Sequence, residues 1–127
     1  MAWENWNPNP MARTVGDCAL RAIAKALDVD WETAFALTAV AGFNMGNIQN
    51  GDEVWGSILR SHGFFRDAIP NTCPDCYTVS MFAKEHPRGV YVLSTGGHVV
   101  CVENGNWFDT WNSGSEAVQF YWYRKEE

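Results

Sequence analysis

No apolar run in this chain approaches the roughly 18 residues that a membrane-spanning helix needs, so a spanning helix is excluded. The first residues, Met1-Ala2-Trp3-Glu4-Asn5-Trp6, hold no basic stretch followed by an apolar one, and a secretory signal is not expected. Basic side chains are scarce. Nine Lys and Arg face 15 Asp and Glu, a net charge of −6, which speaks against nucleic acid and membrane surfaces as partners. Internal repeats, linkers and low-complexity tracts are all missing, which excludes a repeat array or a disordered tail. Cysteine is sparse as well: Cys18, Cys73, Cys76 and Cys101 could form two bridges by count, but a Trp-rich core does not require them. They are expected as thiols in a reducing cytoplasm.

What the chain does hold is core material. Its 127 residues are 46% hydrophobic and include seven Trp, seven Phe and four Tyr, enough for one domain with one core. Residues 1–16 read as loop, because Asn7-Pro8-Asn9-Pro10 cannot enter a helix. A first helix is expected from Asp17 as N-cap, with Leu20, Ile23, Ala24 and Leu27 as its apolar stripe and Arg21 and Lys25 as polar positions. Cys18 then points away from that stripe, from the first turn. Ala22 and Ala26 on the Cys18 side are small enough for close approach, so the helix reads as sandwiched between two layers.

A second helix is expected from an Asp30 cap to about Ala41, with Trp31, Ala34, Phe35 and Thr38 on one face and Gly42 as its end. A third spans Asp52 to His62, burying Val54, Trp55, Ile58 and Leu59 before Gly63. Thr78 to His86 is a short fourth, broken by Pro87. From Gly89 the pattern turns to strands: Val90–Leu93, His98–Val102, Trp107–Trp111 and Val118–Tyr123. Helices first and strands second give an α+β class with an antiparallel sheet built mostly from local hairpins.

Asn104-Gly105 between two such runs predicts a type I′ hairpin and with it a register. If Glu103 pairs with Asn106, then Val102 faces Trp107, Val100 faces Asp109 and His98 faces Trp111. His98 and Asp109 become diagonal neighbours on one face, about 7–8 Å apart at the backbone, and Asn112 projects from the other. A thiol nucleophile needs a base, and the base needs a third group to fix its tautomer and stabilise its charge. Cys18, His98 and Asp109 offer that set. The helix N-terminus adds partial positive charge that lowers a thiol pKa, while Asp17 opposes it unless engaged as the cap.

These residues, with Val15-Gly16-Asp17-Cys18, Arg21-Ala22-Ile23, Ile69-Pro70-Asn71-Thr72-Cys73-Pro74-Asp75-Cys76-Tyr77-Thr78-Val79, Gly97-His98-Val99-Val100-Cys101-Val102 and Asp109-Thr110-Trp111, resemble the papain-like cysteine peptidase clan. Within it the chain is most similar to small bacterial and phage-borne proteins like the leader-peptide-cleaving peptidases, and the likeness covers most of its length. The resemblance implies a papain-like fold with the nucleophile helix packed on a C-terminal antiparallel sheet. It also implies Cys18 as nucleophile, His98 as base and then acid, Asp109 as the orienting carboxylate, a peptide or protein substrate, and no cofactor or metal. One departure is plain. The clan usually carries Gln about six residues before the nucleophile as a donor to the oxyanion, and here that position is Ala12. The second donor must come from Asn7, Asn9 or Thr14, of which Asn9 is taken here, beside the Cys18 backbone N–H.

Trp111, opposite His98, is expected to wall the cleft. Cys101 faces the opposite way along its strand and reads as core; His62 and His86 read as helix C-terminal residues favoured by the dipole. Cys73-Pro74-Asp75-Cys76 has no second pair to complete a zinc site and reads as a turn before the fourth helix. The leading expectation is a thiol hydrolase that cleaves a peptide or isopeptide bond through an acyl-enzyme on Cys18. The alternatives are an amidase or cell-wall peptide hydrolase of the same clan, or a catalytically inactive papain-fold protein that grips a host protein.

Overall fold

The computed structural model describes residues 1–69 and 77–124; Cys73 and Cys76 lie outside them. In chain order the elements are β1 (Trp3–Asn5), α1 (Cys18–Leu27), α2 (Trp31–Met45), α3 (Asp52–Ser61), β2 (Phe64–Ala68), α4 (Val79–Glu85), β3 (Val90–Ser94), β4 (Val99–Glu103), β5 (Asn106–Asp109) and β6 (Phe120–Arg124). The fold is α+β, with a six-stranded sheet ordered β1-β5-β4-β3-β6-β2. The expected all-antiparallel sheet is corrected at one edge: β1 pairs in parallel with β5, Trp3 beside Trp107 and Asn5 beside Asp109. Three residues are too few to show a period, so β1 exists only through this pairing. At the other edge β2 joins β6.

The central hairpin follows the turn chemistry. Asn104 and Gly105 take φ of 52° and 81°, and Val102 pairs with Trp107 and Cys101 with Phe108, the register a type I′ turn requires.

Each face of the sheet carries its own core. On one, Val92, Val99, Cys101 and Trp122 meet Ala19, Ala22, Ile23 and Ala26 of α1 and Trp55, Ile58 and Leu59 of α3. On the other, Leu93, Val100, Val102 and Trp107 meet Val79, Phe82 and Ala83 of α4. α1 is therefore buried nearly all round, and its alanines let it lie close to the strands. Arg21, expected at a polar position, is buried with them.

α2 runs past the expected stop. Gly42 lies inside the helix, where a Cβ would meet the Asn47 carbonyl at 2.9 Å, and the left-handed residue that ends the helix is Gly46, φ 63°. Ala34 and Thr38 of its expected inner face are buried, but Phe35 is exposed.

Close approach also explains Gly56 of α3, where a Cβ would lie 2.9 Å from Trp122 Cζ2. Trp122 is itself buried and edge-on to Trp55, so it has no room to retreat. Gly56→Ala gains about 1 kcal/mol of helix propensity but overpacks the core by about 1–3 kcal/mol. The expected outcome is a net loss of stability of up to about 2 kcal/mol in urea denaturation.

Candidate active site

Three local devices bring the expected residues together. Cys18 is the first residue of α1, at the helix end where backbone N–H groups lack intrahelical acceptors. His98 is held just before β4 by a tight loop: Thr95 N–H donates to the His98 carbonyl at 2.9 Å, and Gly96 supplies φ 98°. Asp109 ends β5, the neighbouring strand.

The imidazole Nε2 and Asp109 Oδ2 lie 2.6 Å apart. This leaves Nδ1 as the ring nitrogen for the hydrogen bond between His98 and the Cys18 thiol. Trp111 lies against the imidazole, ring centroids 4.8 Å apart and tilted by 46°, but it is not among the residues that line the cavity at Cys18, so the expected cleft wall is corrected. Asn112 points into the opposite layer, its Oδ1 accepting from Trp107 Nε1.

Asp109 is the best-supported carboxylate of the site. It accepts from Ser113 Oγ at 2.6 Å, the Thr110 N–H at 2.9 Å and Arg21 Nη2 at 3.1 Å besides its contact with His98. Arg21 also binds Asp17, whose other oxygen accepts from Trp31 Nε1 at 2.9 Å. Asp17, Arg21 and Asp109 are 5%, 4% and 1% exposed, so one guanidinium bridges two buried carboxylates. The expectation that the Asp17 side chain caps α1 is corrected: it makes no capping hydrogen bond. Its negative charge is answered by Arg21, and the opposition to a thiolate at Cys18 is reduced accordingly.

The ionisation tendencies follow from this wiring. Burial pushes the Cys18 thiol up, but hydrogen bonds from His98 and the Val99 N–H, with the positive charges of His98 and Arg21, bring it below its ordinary value. Burial pulls His98 down, yet Asp109 and Cys18 together raise it to about 9. Asp109, despite burial, is held below the usual carboxylate range by His98 and Ser113. Cys101 has no such support, and full burial pushes its thiol far up. The site therefore favours a thiolate beside an imidazolium.

A cavity of about 170 Å³ opens at Cys18, lined also by Asn50, Asp52, Ser94, His98 and Val99. Asn9 is not part of this lining. Its Oδ1 accepts from the Met11 N–H at 2.9 Å, closing a local turn, so the expected oxyanion role does not fit its place. Asn50, in the connection between α2 and α3, is the Asn that lines the cavity. Nothing in the local pattern around Asn50 signals this, since it lies 32 positions from Cys18 and meets it only through the packing of α1 on α2 and α3.

Cys101 is buried against α1, as expected. The Nδ1 atoms of His62 and His86 lie 2.7 and 2.8 Å from the carbonyls of Ile58 and Phe82, which gives both rings structural partners. Among the described residues no cluster of His, Cys, Asp and Glu could hold a metal, and no helix is long and apolar enough to cross a membrane. Comparison with protein-family profiles, curated proteins and solved structures returned no match for this chain.

Proposed function

We propose that the protein is a papain-like thiol hydrolase acting on a peptide or isopeptide bond in a reducing, cytoplasmic setting. The reading rests on one observation, the His98–Asp109 contact at 2.6 Å with Cys18 and His98 lining one cavity. In the first step Cys18 Sγ attacks the carbonyl carbon and the C=O π electrons move to oxygen. That oxyanion is met by the free N–H groups at the start of α1 and by the Asn50 carboxamide. The tetrahedral species collapses, the C–N bond breaks, and His98 passes its proton to the leaving amine. Water, deprotonated by the now neutral His98, adds to the thioester carbonyl; the C–S bond breaks, the acyl group leaves as a carboxylic acid, and the thiolate–imidazolium pair is restored.

A peptidyl vinyl sulfone tests the reading without a known substrate, since it forms a thioether only with an activated, accessible thiolate. The expected result is one adduct, on Cys18, lost in His98→Ala. A folded protein left unmodified at Cys18 would overturn the proposal. Asn50→Ala is expected to lower kcat by about 10²–10³ with little change in KM, the usual loss for one oxyanion donor. Turnover of a peptide found by library screening measures it.

Ala12, where the clan's Gln would stand, favours a second reading in which the fold grips a protein without cleaving it. Under that reading Cys18→Ala leaves the biological effect intact.

A further inference from the structure

Beside the Cys18 cavity lies a second, larger hollow of about 500 Å³, and Asp52 lines both. Asp52, Glu53, Gly56, Ser57 and Arg60, all from one side of α3, line it together with Arg66, Phe120 and Trp122 of the sheet and Met45 at the end of α2. At 1.5 Å per helical residue, the wall from Asp52 to Arg60 runs about 12 Å, the span of roughly four residues of extended peptide. The hollow is thus a groove that adjoins the Cys18 cavity at Asp52.

Its charge is divided along its length. The acidic side chains Asp52 and Glu53 stand at the Cys18 end; Arg60 stands at the far end. Arg60 is laid over the Trp122 ring with Cζ 5.2 Å from the centroid, and Arg66 over Phe120 at 4.2 Å. Neither guanidinium is ion-paired with a carboxylate among the described residues. Stacking on an aromatic floor fixes a guanidinium's plane and leaves its N–H edge for a planar anion.

We propose that the far end of this groove is a carboxylate subsite. The Cys18 site would then take an extended peptide bearing an acidic group about four residues from the bond attacked. The proposal rests on the thiol-hydrolase reading for the place of that bond, and it supplies the substrate class that the reading lacks. Arg60 at the far end holds the carboxylate, Arg66, laid over Phe120, lies along the groove nearer Cys18, and Asp52 and Glu53 repel an acidic residue beside the scissile bond. A chain that places its acid at the wrong distance is rejected by charge.

Binding to Cys18→Ala protein tests the subsite without chemistry. Fluorescein-labelled hexapeptide mixtures, with Glu, Gln or Lys fixed at one position in turn and a C-terminal amide, are read by fluorescence anisotropy. Glu is expected to bind about tenfold more tightly than Gln at one position or two adjacent ones. The preference should shrink in high salt and vanish in the Arg60→Gln/Arg66→Gln double variant. Both arginines are exposed, so the double variant should fold, and its circular dichroism melt checks that. A second set with free C-termini distinguishes the source of the carboxylate. A gain confined to that set assigns the subsite to a chain terminus, and a gain with the amides assigns it to an acidic side chain. Equal affinity for Glu and Gln in both sets, or a preference that survives the double variant, overturns the proposal. Peptide binding with a Cys18 that stays inert to vinyl sulfone in the parent protein would remove the hydrolase reading alone.

Discussion

Arg21→Met is expected to lower folding stability by about 3–5 kcal/mol, one of the largest effects of any single substitution in this chain. The guanidinium is buried between Asp17 and Asp109, which are equally buried, and all three were taken from water to form the fold. Met matches the length of the aliphatic stem, so packing on α1 survives and the loss reports the charges. Removing the cation leaves two carboxylates in a low-dielectric layer. Asp17 keeps Trp31, and Asp109 keeps His98, Ser113 and Thr110, which limits the damage without replacing a positive charge. Urea denaturation at pH 7 measures it. Adding Asp17→Asn to Arg21→Met should recover part of the loss, because one unpaired charge then disappears with its partner. A change under about 1 kcal/mol in the single variant would mean that water reaches the network and that the bridge is ordinary surface pairing.

The same arginine marks the limit of what the sequence could tell. The His98–Asp109 contact was legible because it follows from one strong local signal: Asn104-Gly105 fixes a turn, the turn fixes a register, and the register fixes two side chains. Cys18 at the start of α1 was legible from an apolar stripe and the punctuation of Gly16. Arg21 was not, because a charged residue on an amphipathic pattern reads as solvent-facing unless its partners are known, and Asp109 is 88 positions away. Asn50 was hidden by the same distance problem.

Backbone elements failed for a different reason. β2 buries Phe64 alone and leaves Phe65 to Ala68 exposed, so it has no alternation to detect. Gly42 carried a misleading stop signal because close packing on Asn47, rather than a left-handed turn, requires glycine there. Local chemistry was readable; what depended on tertiary contact was not.

His98→Ala should change the pH profile of Cys18 alkylation in a direction that depends on pH. In the parent, Cys18 is held below its ordinary value and His98 is raised to about 9, directions that favour a thiolate beside an imidazolium. In the variant the thiol loses both the hydrogen bond and the charge of His98, while the burial that raises it persists. Val99 and Arg21 remain and still oppose it. The alkylation midpoint therefore moves up towards the free-thiol range, and the rate with iodoacetamide at pH 6 is expected to fall in proportion to the lost thiolate. At pH 10 the sign reverses, because a thiolate of higher pKa is the stronger nucleophile once formed, so the two curves cross. Asp109→Asn should fall between them: the imidazole keeps a hydrogen-bond partner but loses the negative charge that raises it, and its proton leaves at lower pH. Cys101, fully buried with its thiol pushed up, is the internal control and should stay unreactive in all three proteins while they are folded. Peptide mass spectrometry reads each cysteine separately. Parent and variant curves that coincide would show that the imidazole does not govern the thiol, and the contact between them would then be packing rather than chemistry.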